Sequence, residues 1–166
     1  PGPMGGTCLR FSGPSAAVID PVANESQFDI TDYLTVAAVI RTDTIDTEFG
    51  VIIAKSDTSS AAGGFHLSRG GGFVNNGPAF TVFGGANIYI NKEATPFLDK
   101  WIHVCGVFNK DLSGNARLAL YVDGIDQGVY TTLGTFTTIA PNDHRLTIGT
   151  DQSEGFEYDG RIDHAM

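Results

Sequence analysis

The chain is poor in charged residues and above all in basic ones, and the scarcity of basic residues argues against several classes of partner. Charged side chains make up 17% of its 166 residues, with ten Lys or Arg against 19 Asp or Glu and a net charge of −9. An acidic surface repels phosphate, and the few basic residues are scattered along the sequence. The composition therefore argues against nucleic acid and anionic membranes as partners, and most of the acidic residues are expected only to keep the surface soluble.

Long apolar segments, helical periodicity and cysteine are scarce too. The longest apolar-leaning stretch, Leu34–Ile40, is far too short to cross a bilayer, so we expect no membrane insertion. No segment keeps an i, i+3, i+4 apolar period over three turns. The two cysteines, Cys8 and Cys105, have no zinc-type spacing. A Cys8–Cys105 disulfide would need their strands to lie close together, so it stays open, with free buried thiols as the favoured interpretation.

The sequence does have many short β-type runs separated by turn-forming residues. The clearest lie between Lys100 and Gly128, where Asp123-Gly124 gives a tight two-residue reversal. Runs of this kind, about twelve in all, predict a two-sheet antiparallel β-sandwich of jelly-roll type. We expect one such domain over residues 7–166, after a linker end or expression remnant at residues 1–6. The predicted strands are Thr7–Phe11, Ala17–Asp20, Tyr33–Arg41, Phe49–Ala54, Phe65–Ser68, Ala79–Phe83, Asn87–Asn91, Trp101–Phe108, Arg117–Val122, Ile125–Tyr130, Arg145–Gly149 and Glu157–His164.

Seven short motifs follow one another along the chain. They are Phe11-Ser12-Gly13, Asp32–Ala37, Ile52–Lys55, Gly64–Leu67, Lys100–Val104, Leu120–Gly124, and Arg145–Gly149 followed by Phe156–Asp163. Taken in this order, they resemble the motifs of the laminin-G-like, concanavalin A-like lectin/glucanase family. The resemblance covers nearly the whole chain and implies the concanavalin A-like jelly roll. This fold carries lectins, carbohydrate modules, adhesion domains and glucanases, so the resemblance implies the function less directly.

The resemblance raises the question of catalysis by paired carboxylates. Laminarinase-type enzymes on this fold carry them on one strand, in an E-x-D-x-x-E or E-x-D-x-E pattern. The nearest segment here runs from Glu157 to Asp163, where strand alternation would put Glu157, Asp159 and Asp163 on one face. The second glutamate is missing, so we predict a domain that is not an enzyme and has no catalytic residues.

A structural Ca²⁺ is also implied by the resemblance. Family members hold it with an acidic residue near the first strands and another in the closing strand, which here indicates Asp20 and Asp163, with Asp159 as a third candidate. Calcium needs six to eight oxygen ligands, and sandwich loops can supply them. The alternative is that Asp163 pairs with Arg161 or a backbone amide.

Candidate glycan-binding residues come from the alternation of one short strand. Tyr89 faces away from its two flanking isoleucines, with Asn87 and Asn91 on its own face. An aromatic ring can stack on a pyranose while amides bond its hydroxyls. The alternative for Tyr89 is an ordinary cross-strand partner. Asn87, Tyr89 and Asn91 would thus form a glycan-binding strip, and a glycine-rich loop would extend this strip with Phe73, Asn75 and Asn76.

These features together predict a non-catalytic, lectin-like module of a larger extracellular or surface protein. It would bind a polysaccharide or other glycan weakly, aided by avidity from flanking domains, with loops rigidified by Ca²⁺. The alternative function is a protein-interaction, adhesion or structural domain, such as a tail-fibre or cell-surface knob. A glycoside hydrolase comes third, disfavoured by the missing carboxylate pair.

Overall fold

A computed structural model describes residues 2–3, 7–12, 17–19, 25–43, 49–57, 63–69, 77–84, 87–91, 98–128, 131–132, 138–153 and 155–166, and for 19, 25–26, 87–91, 115 and 131–132 it gives the backbone course alone. These residues form thirteen strands and two short 3₁₀ helices, η1 (Glu25–Phe28) and η2 (Gly114–Arg117). No helix within these ranges is long and apolar enough to cross a membrane. The strands are β1 Leu9–Phe11, β2 Ala17–Ile19, β3 Tyr33–Thr42, β4 Gly50–Lys55, β5 Gly64–Arg69, β6 Pro78–Phe83, β7 Asn87–Asn91, β8 Trp101–Asn109, β9 Leu118–Val122, β10 Ile125–Asp126, β11 Thr131–Thr132, β12 Leu146–Ile148 and β13 Gly160–Ala165.

Two antiparallel sheets pack face to face. Six strands form one sheet in the order β1-β13-β3-β8-β9-β10, and seven form the other in the order β11-β7-β6-β5-β4-β12-β2. This arrangement confirms the predicted antiparallel β-sandwich. All twelve predicted strands are present with boundaries shifted by a few residues, and β11 was not predicted.

The centre of the six-stranded sheet is the pair β3 and β8. Nine residue pairs run from Tyr33 opposite Asn109 to Arg41 opposite Trp101. Along β8, Ile102, Val104, Gly106 and Phe108 are buried, whereas the alternate residues are half-buried on the outer face. This period of two is what a strand shows when one face lies on the core and the other is partly solvated.

Close contact between the sheets depends on a glycine. Gly106 of β8 takes a core-facing position, and a Cβ placed on it would lie 2.3 Å from the ring of Phe80 in β6. Phe80 is completely buried. The Phe80 ring therefore fills the space that a side chain at position 106 would occupy.

The middle strands of the seven-stranded sheet are buried on both faces. Every residue of β4, β5 and β6 is buried, including the polar His66, Ser68 and Thr81. His66 packs between Phe49 and Phe83, with ring centroids 5.1 and 5.2 Å away. The outer face of these strands is thus packed like a second, smaller core.

The topology settles the state of the cysteines. Cys8 lies just before β1 and Cys105 lies in β8, with β13 and β3 between these strands. Three strand spacings separate their Cα atoms by about 14 Å, well beyond the roughly 7 Å limit for a disulfide. Both are free thiols, as favoured from the sequence, but each is half-buried rather than buried. Partial burial raises the pKa of Cys105.

The β9–β10 connection is the tight hairpin that the sequence predicts. Asp123 and Gly124 have φ angles of 50° and 77°, the left-handed values required at both central positions of a type I′ turn. The Asp123 carboxylate accepts a hydrogen bond of 2.8 Å from the backbone amide of His103. The turn is therefore fastened to β8, and it fixes β10 beside β9.

Candidate functional site

The structure describes only part of the predicted glycan-binding strip on β7. The β7 backbone pairs Asn87, Tyr89 and Asn91 with Phe83, Thr81 and Ala79 of β6, as alternation requires. The side chains of the β7 residues lie outside the described part of the chain. Phe73, Asn75 and Asn76 lie outside the described residues altogether. The strip therefore stays a prediction.

The described residues form a different ligand-sized site on the other sheet. A cavity of about 340 Å³, here called the β9 groove, opens on the outer face of the β8–β9–β10 end. This volume falls in the range of small-ligand clefts. The groove is lined by Val107, Asn109, Leu112, Ala116, Arg117, Leu118, Ala119, Tyr121, Asp126 and Gly128.

Strand alternation explains why Tyr121 faces the groove. In β9, Leu118, Leu120 and Val122 are buried, so Ala119 and Tyr121 take the outer face. The register then pairs Tyr121 with Cys105 on one side and Asp126 on the other. The tight Asp123-Gly124 turn therefore brings a carboxylate beside an aromatic ring.

Local hydrogen bonds orient the polar groups of the groove. The Asn109 Oδ1 accepts from the Asp111 amide at 2.9 Å, and the Asp126 Oδ1 accepts from the Gly128 amide at 2.8 Å. The Arg117 Nε donates to the carbonyl of Lys110 at 3.3 Å. With respect to the described residues, these bonds leave the Asn109 Nδ2 and the Asp126 Oδ2 as a donor and an acceptor for a ligand hydroxyl.

Two exposed apolar side chains lie at the groove. Leu112, which lines it, is 45% exposed, and Tyr33, which is opposite the lining residue Asn109 in register, is 54% exposed. Clustering of large exposed apolar side chains is typical of interaction surfaces.

An ion-pair network holds the Tyr33 side of this surface. The Tyr33 hydroxyl donates to Asp111, and this bond is the main cause that raises the pKa of Tyr33. Lys110 pairs with Asp32, which lowers the pKa of Asp32 and raises that of Lys110. The Lys110 Nζ also lies 5.6 Å from the centroid of the Tyr33 ring. The ring is therefore held at both its hydroxyl and its face.

Sequence reasoning missed the β9 groove, although one signal was available. Tyr121 lies in the Leu120–Gly124 motif, which was used only as a fold marker, yet alternation within β9 already turns it away from the core. Asn109 and Arg117 gave no such signal. The loop and η2 bring them to the groove only once β8 and β9 have paired.

Among the predicted calcium ligands, Asp163 has the environment that best fits a cation. Its side chain is 3% exposed, and its Oδ1 lies 3.2 Å from the Nδ1 of His164. Its Oδ2 is buried without a hydrogen-bond partner. The expected alternative pairing with Arg161 is wrong, because Arg161 contacts Asp43 instead, with its Nε 3.5 Å from the Asp43 Oδ2.

The other predicted ligands do not complete a metal site within the described residues. Asp20 lies outside them, and Asp159 precedes β13 rather than lying in it. No group of three His, Cys, Asp or Glu in the described part of the chain is placed to hold a metal ion. A bulge between Ile162 and His164 also breaks the alternation on which the shared face of Glu157, Asp159 and Asp163 was predicted.

Comparison with known proteins supports the fold. The family described as the concanavalin A-like lectin/glucanases superfamily, in its laminin G form, matches residues 16–166. Comparison with curated protein sequences gave no match.

Solved structures with the same fold come from several kinds of protein. Domains LG4-5 of the mouse laminin alpha1 chain share 17% identity at a TM-score of 0.60, over 95% of this chain and 39% of that one. A native heptameric SAP-like pentraxin from Limulus polyphemus shares 19% identity at a TM-score of 0.53, over 82% of this chain and 64% of that one. The CBM40 module of the Ruminococcus gnavus IT-sialidase, solved with alpha2,3 sialyllactose, shares 13% identity at a TM-score of 0.68, over 96% of this chain and 88% of that one. The chain thus spans less than two thirds of the laminin and pentraxin chains that it matches.

Proposed function

The chain belongs to the concanavalin A-like lectin/glucanases superfamily, and on that premise we propose that it is a non-catalytic carbohydrate-binding module. The observation that carries this proposal is the β9 groove, which is lined by Tyr121 together with Asn109, Arg117 and Asp126. An aromatic ring beside amide, guanidinium and carboxylate groups matches the two kinds of surface on a sugar, which are the apolar C–H bonds of a ring face and the hydroxyls around its rim.

Each group of the groove has a role in this proposal. The ring of Tyr121 stacks on a pyranose, while the Asn109 Nδ2 donates to one hydroxyl and the Asp126 Oδ2 accepts from another. The anchoring bonds to the Asp111 and Gly128 amides hold both polar groups before the ligand arrives. Less conformational entropy is then lost on binding, which supports affinity in a shallow site.

Binding without hydrolysis fits the composition of the groove. Glycoside hydrolysis with retention needs two carboxyl groups about 5 Å apart. Asp126 is the one carboxylate among the residues that line the groove. We therefore propose recognition, with no bond cleavage, as the role of this surface.

The wider setting is also a proposal. The similar structures include a sialidase module solved with sialyllactose and parts of larger laminin and pentraxin chains, which supports a glycan-binding module within a larger protein. We place such a protein outside the cell or at its surface, flanked by further domains.

A structural calcium at Asp163 is a separate proposal. Its buried Oδ2, with no hydrogen-bond partner, is the type of oxygen that a cation would satisfy. Asp20 and carbonyl oxygens from the residues after it would be the further ligands. Bound Ca²⁺ would supply charge neutralisation and rigidity there, and no chemistry.

The function is tested by native affinity electrophoresis in gels that contain a panel of polysaccharides. We expect the wild-type chain to be retarded by at least one polysaccharide and Tyr121→Ala to migrate as in an empty gel. Leu9→Ser, an exposed apolar position on β1 at the opposite edge of the sheet, is the matched control and should be retarded like the wild type. Equal retardation of Tyr121→Ala would remove the groove from the function.

A further inference from the structure

Three of the chain's six arginines lie side by side on the outer face of the six-stranded sheet. Arg10 of β1 is directly opposite Arg161 of β13, and Arg161 is opposite Arg41 of β3. Arg41 is in turn opposite Trp101 of β8, the single tryptophan of the chain. These four residues, here called the arginine row, cross four adjacent strands and span about 14 Å at the usual strand spacing.

All four positions lie on the face that points away from the core. Arg10 precedes the buried Phe11, and Arg161 lies between the buried Gly160 and Ile162. Arg41 and Trp101 are half-buried beside the core residues Ile40 and Ile102. Guanidinium groups and indole are therefore presented together on one surface.

Such a row is costly unless something stabilises it. Like charges directly opposite each other in a sheet are destabilising. Scattered positions in the sequence are brought together here because β13 inserts between β1 and β3.

Carboxylates of the protein compensate only part of this charge. Asp43 lies between two arginines, with its Oδ1 3.4 Å from the Arg41 Nε and its Oδ2 3.5 Å from the Arg161 Nε. The Arg41 Nη2 donates to the exposed Asp99 at 2.9 Å. Arg10 is exposed and has no ion-pair partner among the residues that the structure describes. The buried Arg41 Nε and Asp43 Oδ1 are also without hydrogen bonds of good geometry.

We propose that the arginine row binds the carboxylate or sulfate group of an acidic saccharide. Arg10 and Arg161 contact the acidic group through paired N–H donors, and the indole of Trp101 packs against the sugar ring. The overall charge of −9 favours such a small, local anion over an extended polyanion, since long-range repulsion rises with the number of phosphates brought near. The row lies at the Trp101 end of β8 and the β9 groove at the Asn109 end, so this site does not depend on the groove.

Binding at this site can be followed by tryptophan fluorescence, because Trp101 is the single tryptophan of the chain. Two matched pairs of probes distinguish the acidic groups: trigalacturonate against its methyl ester, and a carrageenan oligosaccharide against its desulfated form. We expect saturable changes in Trp101 emission with trigalacturonate, the sulfated oligosaccharide or both, and at least tenfold weaker binding of the neutral partners. Raising the salt concentration should weaken the binding of the acidic probes.

Variants assign the effect to the row. Arg10→Gln, on an exposed edge strand, should weaken the binding of the acidic probe roughly tenfold, which corresponds to the loss of about one charge-assisted hydrogen bond. Arg10→Lys should restore part of this affinity. Arg145→Gln removes an exposed arginine elsewhere and should bind as the wild type does. Arg161→Gln, at the other arginine that contacts the acidic group, should weaken the binding of the acidic probe as well. If this variant fails to fold by circular dichroism, Arg10→Gln still decides the matter.

Two results would overturn the proposal. One is equal Trp101 response to the acidic and neutral members of both pairs. The other is unchanged affinity for the acidic probe in Arg10→Gln. Tyr121→Ala separates this site from the β9 groove, because it should abolish groove binding and leave the response of the row intact.

Discussion

His66 is a titratable side chain enclosed by aromatic rings on the outer face of β5. It is 5% exposed, its Nδ1 has no hydrogen-bond partner, and burial lowers its pKa from 6.5 to about 3. Below pH 6.5 the His66 imidazole is therefore protonated in the unfolded chain but stays neutral in the folded chain. This contribution to stability is complete above pH 6.5 and is lost as the pH falls from 6.5 towards 3.

We predict that His66→Leu reduces the loss of stability between pH 6.5 and pH 5. The wild-type free energy of unfolding should fall by up to about 1.4 kcal/mol per pH unit from this group in that window. Urea unfolding at several pH values measures the slope, with His103→Gln, a half-buried histidine on the other sheet, as the control. The same slope in wild type and His66→Leu would show that His66 is not excluded from protonation.

Gly106 is the residue where the two sheets come closest. Alanine normally suits a strand better than glycine, but its Cβ here would meet the Phe80 ring at 2.3 Å. Gly106→Ala should therefore lower the free energy of unfolding by about 1–3 kcal/mol through overpacking.

The control for Gly106 is Gly155→Ala, where the nearest atom is 3.4 Å from an added Cβ. Adding Phe80→Leu to Gly106→Ala should make the combined loss smaller than the sum of the two single losses, because the smaller side chain relieves the clash. Chemical unfolding of the four variants measures both effects. Additive losses, or a stabilised Gly106→Ala, would contradict this packing.

Sequence reasoning at the residue scale succeeded where a side chain's surroundings are local. The left-handed Asp123-Gly124 turn follows from the two residue types alone. The arginine row does not, because its members are joined by strand order and lie up to 151 positions apart in the chain. For the same reason Asn109, Arg117 and Asp126 could not be grouped before the hairpins had formed.

Lys55, at the end of β4, joins that strand to the segment that precedes β12. Its side chain is 2% exposed, and its ammonium group donates to the Asn142 carbonyl at 2.7 Å and to the Asn142 Oδ1 at 3.0 Å. The Asp29 Oδ1 lies 2.7 Å from the Lys55 Nζ and forms an ion pair with it. The Asn142 Nδ2 donates back to the Lys55 carbonyl at 3.0 Å, so the two residues are bound in both directions.

Lys55→Met should destabilise the chain by about 3 kcal/mol, because it leaves the Asp29 carboxylate and the Asn142 oxygens without their cation. The methionine keeps the volume, which isolates the polar loss from a cavity. Urea unfolding gives the value, with Lys100→Met at an exposed position as the control. A loss equal to that of the control would mean that water replaces the ammonium group at no cost.

At the scale of elements, alternation and turn residues were enough to locate the strands. The long strands β3 and β8 were predicted almost to their ends, since their apolar residues recur with a period of two. β11, with two residues, is too short to have any pattern. The burial of β4–β6 on both faces could not be foreseen, because it depends on what packs over the sheet.

At the scale of the whole molecule, the stability of the folded chain tests whether Ca²⁺ binds. If Ca²⁺ binds at Asp163 in the folded state alone, free Ca²⁺ at roughly 100-fold above its Kd should stabilise the chain by about 2.7 kcal/mol, and EDTA should reverse the effect. Thermal unfolding measures this as a higher Tm in Ca²⁺ than in EDTA.

Two carboxylate variants assign the calcium effect. Asp163→Asn should abolish the difference in Tm, while Asp143→Asn, at an exposed carboxylate, should keep it. Identical melting curves in Ca²⁺ and EDTA for the wild-type chain would refute a structural calcium.

The fold could thus be predicted as a whole, whereas the candidate site could not. The order of motifs was sufficient for the sandwich, and the family match over residues 16–166 agrees with it. The β9 groove arises where a strand end, a 3₁₀ turn and a hairpin meet, and each of these looks ordinary by itself in the sequence.

The central claim, that a glycan binds in the β9 groove, is tested most directly by amide chemical-shift mapping. A ¹⁵N-labelled chain is titrated with the polysaccharide fragment that retards it in affinity gels. We predict the largest shifts at Asn109, Arg117, Tyr121 and Asp126, with loss of these shifts in Tyr121→Ala. Shifts confined to β7 and the residues around Tyr89 would contradict the groove and return the site to the seven-stranded sheet.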